Sequence, residues 1–137
     1  LDNFGCAAPI IISPKNKIED SARKFPTIIS IIKRKVIGNG YDIYDPSPGA
    51  QIVDWVAGMF MVFDSYKFKK LNGFDEKYFM YLEDTDICRR LHRANYTVLY
   101  IGTEKVIHNA RRSSRKKLKY LYWHIRSGVR FFLTWKF

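Results

Sequence analysis

Between Gly73 and Arg93 the chain reads GFDEKYFMYLEDTDICRRLHR, and this stretch holds the residues best suited to chemistry. Asp75, Glu83, Asp84 and Asp86 stand there among Phe, Tyr, Met and Leu. A carboxylate among aromatic side chains loses hydration and stays charged only where a metal, a base or a hydrogen-bond donor compensates it. The adjacent acids Glu83 and Asp84, at the expected start of a helix, suit a general base at the mouth of a pocket, one that takes the proton of a reacting hydroxyl. The same pair also serves, with no chemistry at all, as acids complementing the positive end of the helix dipole. Asp86 reads as a first-turn acid of that second kind, and Asp75 and Glu76 read as turn residues after Gly73.

Other candidates lie outside that stretch. Gly58 interrupts an apolar run, where a missing side chain either lets a ligand approach the backbone or marks a bulge. His108, near a strand end, offers a neutral imidazole to a divalent metal or a phosphate, or is an ordinary core or solvated residue. His92 and His124 read as helix-surface residues. Residues 111–119, RRSSRKKLK, hold six cations and no acid, and the aromatics Tyr120, Tyr122, Trp123, Phe131, Phe132 and Trp135 follow. Basic and aromatic residues interleaved on a helix suit an anionic membrane surface. They also suit nucleic acid, or a solvated basic face over a packed aromatic one.

The elements that must position these groups follow from pattern. Residues 7–12 form a short buried strand and 13–24 a charged loop. Apolar spacing predicts a helix from Pro26 to Ile37, stopped by Gly38-Asn39-Gly40. Residues 41–49 form an irregular connection, and Val53 to Phe63 is the expected central strand, interrupted by Gly58. Asp64-Ser65 caps a short helix to Leu71, and Asn72-Gly73 turns the chain. Glu83 to Ala94 is helical with Ile87, Leu91 and Ala94 on one face, and Asn95 supplies a left-handed cap. Strands are expected at 96–101 and 105–108, then one long helix from Ser113 to Phe137.

Composition bounds the class. At 137 residues with 47% hydrophobic content the chain is one domain or a piece of one, with enough apolar surface for a core. It starts with Leu1, shows no signal peptide, and reads as a fragment of something longer. No apolar run is long enough to span a bilayer. Cys6 and Cys88 belong to no metal-type pair, so a reduced cytosolic setting is the default. The net charge of +11 favours an anionic partner: nucleic acid, anionic lipid or a phosphorylated substrate.

Together Trp55-Val56-Ala57-Gly58, Gly73-Phe74-Asp75-Glu76, Phe79 to Arg90 and Val106-Ile107-His108 resemble the C-terminal half of family 2 glycosyltransferases. The bacterial rhamnosyltransferase-type members that build O-antigen and other surface polysaccharides are the nearest likeness. The resemblance implies an α/β, partial GT-A fold. Residues 1–110 would be the C-terminal, acceptor-binding part of the glycosyltransferase domain, and 111–137 a basic aromatic C-terminal helix. It implies an inverting sugar transfer with Asp84 as base and Glu83 beside it. Trp55, Gly58, Asp75 and Arg90 would bind substrate, and His108 would help hold a divalent metal (Mg²⁺ or Mn²⁺) or the diphosphate. The implied donor is a nucleotide sugar, dTDP-rhamnose by likeness to the subgroup, and the implied acceptor is linked to polyprenyl diphosphate. The implied setting is cytoplasmic and peripheral, at the inner face of the cell membrane against anionic lipid, with no nucleic acid expected. The family's nucleotide-binding half and its Asp-X-Asp motif have no convincing counterpart here, and Asn95 stands where relatives usually have glycine. The chain alone is therefore expected to be inactive, and poorly stable for want of neighbouring strands. A basic nucleic-acid-binding or interaction module is the competing class, and it leaves Glu83-Asp84 unexplained. A relic of a disrupted gene is a third.

Overall fold

A computed structural model describes residues 3–30, 33, 43–109 and 118–135. Two long strands carry the fold. β1 (Phe4–Ile12) and β6 (Thr97–Ile107) run parallel, from Phe4 opposite Thr97 to Ile12 opposite Ile107. β1 is buried along most of its length, as a near-continuous apolar run predicts for a strand covered on both faces. Short antiparallel strands border the pair, giving the order β3-β6-β1-β5, with β3 at Ala50–Ile52 and β5 at Val62–Phe63. β2 (Ala22–Arg23) and β4 (Trp55–Val56) form a separate two-stranded ribbon.

Three helices complete the described chain. α1 (Ser65–Lys70) opens as expected: Asp64 accepts a hydrogen bond from the Lys67 amide at 2.9 Å. Asn72 and Gly73 then take left-handed φ angles of 58° and 61° to turn the chain. α2 (Glu83–Arg93) buries Ile87, Cys88 and Leu91 in a core shared with Cys6, Ala8, Ile10, Val56 and Val98. Asn95 ends this helix at φ 59°, so the cap survives without glycine. α3 (Leu118–Thr134) packs through Phe131 and Trp135 onto Tyr78 and Leu82, in a second cluster. Burying Phe131 alone contributes roughly 1.5–3 kcal/mol.

The structure corrects several expectations. Residues 53–63 are not one central strand. The run breaks into β4 and β5, which belong to different sheets. The cause is tertiary: the Ala57 amide donates to the Ser21 carbonyl at 2.7 Å, extending the pairing with β2, and the Gly58 amide donates to Asp84 at 2.8 Å, which ends it. The two strands expected at 96–101 and 105–108 join into one, β6, with a register shift that leaves residues 102–104 unmatched opposite Pro9 and Ile10. The expected loop 13–24 contains β2. Of the helix expected from Pro26 to Ile37, residues 28–30 and 33 are helical, Pro26 and Thr27 are not, and the others lie outside the described residues. The basic cluster 111–117 also lies outside them. His92 is not a surface residue: its Nε2 lies 3.0 Å from the carbonyls of Val53 and Asp54, and its ring packs edge-on against Phe25.

Candidate active site

Asp84 is fixed by three donors from two parts of the chain. Oδ2 accepts from the Gly58 amide at 2.8 Å, and Oδ1 from the Thr85 amide at 2.7 Å and the Thr85 hydroxyl at 3.3 Å. A carboxylate offers about four lone-pair sites, so one remains for an incoming hydroxyl. Burial pushes the Asp84 carboxyl up, opposed by these hydrogen bonds and by the charge of Arg23. Glu83 is also pushed up, by burial first and then by the charge of Asp84, and its Oε2 is buried with no partner. A base whose pKa rises toward neutrality transfers protons more effectively near pH 7.

The approach to the dyad is strained. Tyr81 and Leu82 both occupy the left-handed region, at φ 69° and 65°. For side chains of this size such backbone costs about 1–3 kcal/mol per residue, and it persists only where the surroundings impose it. Here α3 imposes it: the Ser127 hydroxyl donates to the Met80 carbonyl at 2.7 Å, and Leu82 packs beside Phe131 and Trp135. The Leu82 carbonyl then accepts from the Asp86 amide, and the helix starts with Glu83 and Asp84 in its first turn. The positive helix terminus stabilises that charge.

A cleft of about 500 Å³ opens beside the dyad, lined by Gly58, Met61, Phe63, Phe68, Phe74, Glu83 and Asp84. Phe63, Phe68 and Phe74 pack on one another with centroids 4.6–5.8 Å apart and form a rigid apolar wall. Gly58 borders the carboxylate: a Cβ built there would lie 3.5 Å from Asp84 Oδ2.

Asp75 and Arg90 sit elsewhere, in a larger hollow of about 680 Å³ at the foot of α3. Both are engaged within the protein. Asp75 pairs with Arg130 at 2.6 Å; burial pushes its pKa up, but the hydrogen bonds from Arg130 and the Lys77 amide, with the charges of Arg130 and Lys77, together outweigh that and lower it. Arg90 donates to Asp86 at 2.8 Å and to the Leu71 carbonyl at 2.6 Å. Asp86, 2% exposed, also accepts from the Trp135 indole at 3.0 Å, so this first-turn acid anchors the C-terminal helix. The smaller cleft is the better candidate despite its size, because it alone holds the carboxylate pair with raised pKa. Trp55 is buried, its indole donating to the Lys24 carbonyl at 2.9 Å with Arg23 over its ring.

His108 is not among the residues lining the Asp84 cleft. Its amide donates to the Ile12 carbonyl at the end of the parallel pair, and its Nδ1 is buried without a partner. Among the described residues no three His, Cys, Asp or Glu side chains converge on a point. A lone imidazole does not fit Mg²⁺ or Mn²⁺, which favour several oxygen ligands, so these residues do not make a metal site by themselves.

Sequence pattern missed the left-handed pair Tyr81-Leu82, because neither is a residue type that signals φ above zero. It also missed Thr85 as the clamp on Asp84, and the three-phenylalanine wall. Phe68 and Phe74, flanking the Asn72-Gly73 turn, were the available signal for the wall.

A mixed α/β layer presents an oriented acidic dyad at an open cleft, and comparison with known proteins shows what this chain is similar to. A family model described as the N-terminal domain of galactosyltransferase matches residues 52–112, which include Gly58, the dyad and His108. Rhamnosyltransferase WbbL of Escherichia coli K12 is 38% identical over 114 residues, covering 81% of this chain and 43% of that protein. The N-acetylglucosaminyl-diphospho-decaprenol L-rhamnosyltransferase of Mycobacterium tuberculosis is 29% identical over 119 residues, covering 80% of this chain and 39% of that protein. These likenesses support a family 2 glycosyltransferase of rhamnosyltransferase-like type. The chain spans about two-fifths of the length of these relatives.

Proposed function

We propose that this chain is the acceptor-binding, GT-A-type half of an inverting glycosyltransferase, with Asp84 as the general base. An acceptor hydroxyl donates its proton to Asp84 while its oxygen attacks the anomeric carbon of a nucleotide sugar. The bond from that carbon to the diphosphate breaks on the opposite face, and the electron pair leaves with the nucleoside diphosphate. Glu83, beside Asp84, orients the acceptor. The observation that carries this reading is the clamp on Asp84, where three donors hold a carboxylate that lines the cleft. The names of the relatives support a rhamnosyl donor and an acceptor linked through diphosphate to a polyprenol; the donor in this reading is dTDP-rhamnose, and the setting is assembly of a bacterial surface polysaccharide. Such an acceptor is held in a bilayer, and this reading puts the reaction at the cytoplasmic face of the membrane.

The test uses this chain joined to the part of its relatives' length that it does not cover. Replacing Asp84 by Asn should lower kcat by about 10²–10⁴-fold while donor binding, measured by calorimetry, is kept. A base works deprotonated, and the folded-state pKa of Asp84 is raised. The acid limb of the kcat/KM profile should therefore fall at a pH above the ordinary aspartate range. Wild-type turnover in the Asn variant ends the role assigned to Asp84.

A further inference from the structure

α3 carries two apolar faces, and among the described residues only one of them is packed. Ser127, Phe131 and Trp135 point into the body. Leu118, Leu121, Tyr122, Ile125, Val129 and Leu133 are exposed, Leu118 at 84% and Leu133 at 72%. At 3.6 residues per turn these six fall within roughly one third of the helix circumference, opposite the packed face. Exposed Lys119 and Arg126 border the stripe on one side. The sequence directly before the helix adds Arg111, Arg112, Arg115, Lys116 and Lys117.

We propose that this outer face of α3 is a membrane-docking surface for an anionic lipid bilayer, lying in the interface with its axis parallel to the membrane plane. The inference deepens the sugar-transfer reading by naming the face that meets the membrane. Charge selects the occupant. A protein partner covering the stripe would have to compensate the cations flanking it with a matched acidic rim. Anionic headgroups above acyl chains take the apolar stripe and the cations together. No described helix is long and apolar enough to cross a membrane, so the contact is with the surface. The packed face fixes where the cleft then stands. Ser127 holds Met80, Arg130 holds Asp75 and Trp135 holds Asp86, so α3 is tied to both sides of the dyad. A helix resting in the headgroups brings the cleft to the level at which a diphosphate-linked sugar would protrude.

Flotation of the full chain with vesicles tests this. Vesicles of phosphatidylcholine mixed with phosphatidylglycerol should carry the protein, vesicles of phosphatidylcholine alone should carry far less, and binding should weaken as salt rises. The double variant Ile125→Asp, Val129→Asp changes only exposed positions and should lower the partition coefficient at least about tenfold, with its circular dichroism unchanged. Lys116→Gln with Lys117→Gln should weaken binding to anionic vesicles without affecting the neutral ones. Asp84→Asn should bind vesicles like the parent, so a failure of the catalytic reading shows in turnover and a failure of docking shows in flotation. Vesicle binding that is indifferent to the Ile125 and Val129 changes overturns the proposal. So does the absence of binding, whether the stripe instead pairs two copies (a dimer in size exclusion that the double variant dissolves) or binds nucleic acid.

Discussion

At the residue scale the chemistry rests on one aspartate and the glycine opposite it. Asp84 lies on α2 and Gly58 on the link between β4 and β5, and their 2.8 Å hydrogen bond joins segments 26 residues apart in sequence. Gly58 has no left-handed φ, and a Cβ there meets Asp84 Oδ2 at 3.5 Å, an ordinary van der Waals distance. The fold therefore has little need of glycine at this position. Gly58→Ala should leave stability within about 0.5 kcal/mol, as read by thermal unfolding. The added methyl nevertheless stands at the mouth of the cleft beside the carboxylate. In the joined enzyme it should raise KM or lower kcat several-fold. Unaltered kinetics would show that no substrate atom approaches the Gly58 backbone. Loss of stability would show that the glycine serves packing instead.

At the scale of elements, two contacts decide how the parts fit. The break in register along β6 lets the Ser47–Gly49 segment lie directly over the strand. The Gly102 amide donates to the Gly49 carbonyl at 2.7 Å, and a Cβ at Gly102 would lie 1.7 Å from the Ser47 carbonyl oxygen. No side-chain rotation relieves a clash with backbone. Gly102→Ala should cost more than about 4 kcal/mol in urea unfolding, or prevent soluble expression. Gly128→Ala is the matched control: it sits inside α3 with nothing within 4 Å of its Cβ, and should stabilise by roughly 0.5–1 kcal/mol. Similar effects at the two glycines would refute the close approach at Gly102. The second contact is α3 on the segment 75–86. Through Arg130, Ser127 and Trp135 it touches both flanks of the dyad, so the C-terminal helix is part of the device that imposes the left-handed turn at Tyr81-Leu82.

For the whole molecule, the sheet shows what the described residues supply and what they leave open. β5 pairs only with Cys6 and Ala7, so Ala8 to Ile10 of β1 have no strand on that side among the described residues. Ile52 and Val62, on the two border strands, are largely exposed. These features match a chain that covers only about two-fifths of its relatives' length. We expect residues 1–137 alone to show no turnover of a nucleotide sugar, and joining them to the part of the relatives' length that they do not cover to give turnover together with a higher, sharper melting transition. Micromolar donor binding and turnover by the isolated chain would contradict the division of labour proposed here.

Local chemistry was legible without coordinates. The Asp64 cap, the Asn72-Gly73 turn, the helix from Glu83 and the left-handed Asn95 each depend on a few adjacent residues, and adjacent residues are what a sequence displays. The acidic dyad was legible for the same reason, since two neighbouring carboxylates among aromatics are conspicuous by type alone. Tertiary structure decided the rest. Residues 53–63 look like one strand until the amides of Ala57 and Gly58 find Ser21 and Asp84 as acceptors. Asp86 looks like an ordinary first-turn acid until Trp135, 49 residues away, donates to it. Asp75 and Arg90 look like neighbours of the base, yet Asp75 pairs with Arg130 of α3, and Arg90 with Asp86 and the Leu71 carbonyl. In each case the deciding interaction joins distant segments, and the free energy of satisfying a buried polar group outweighs the local preference of the backbone.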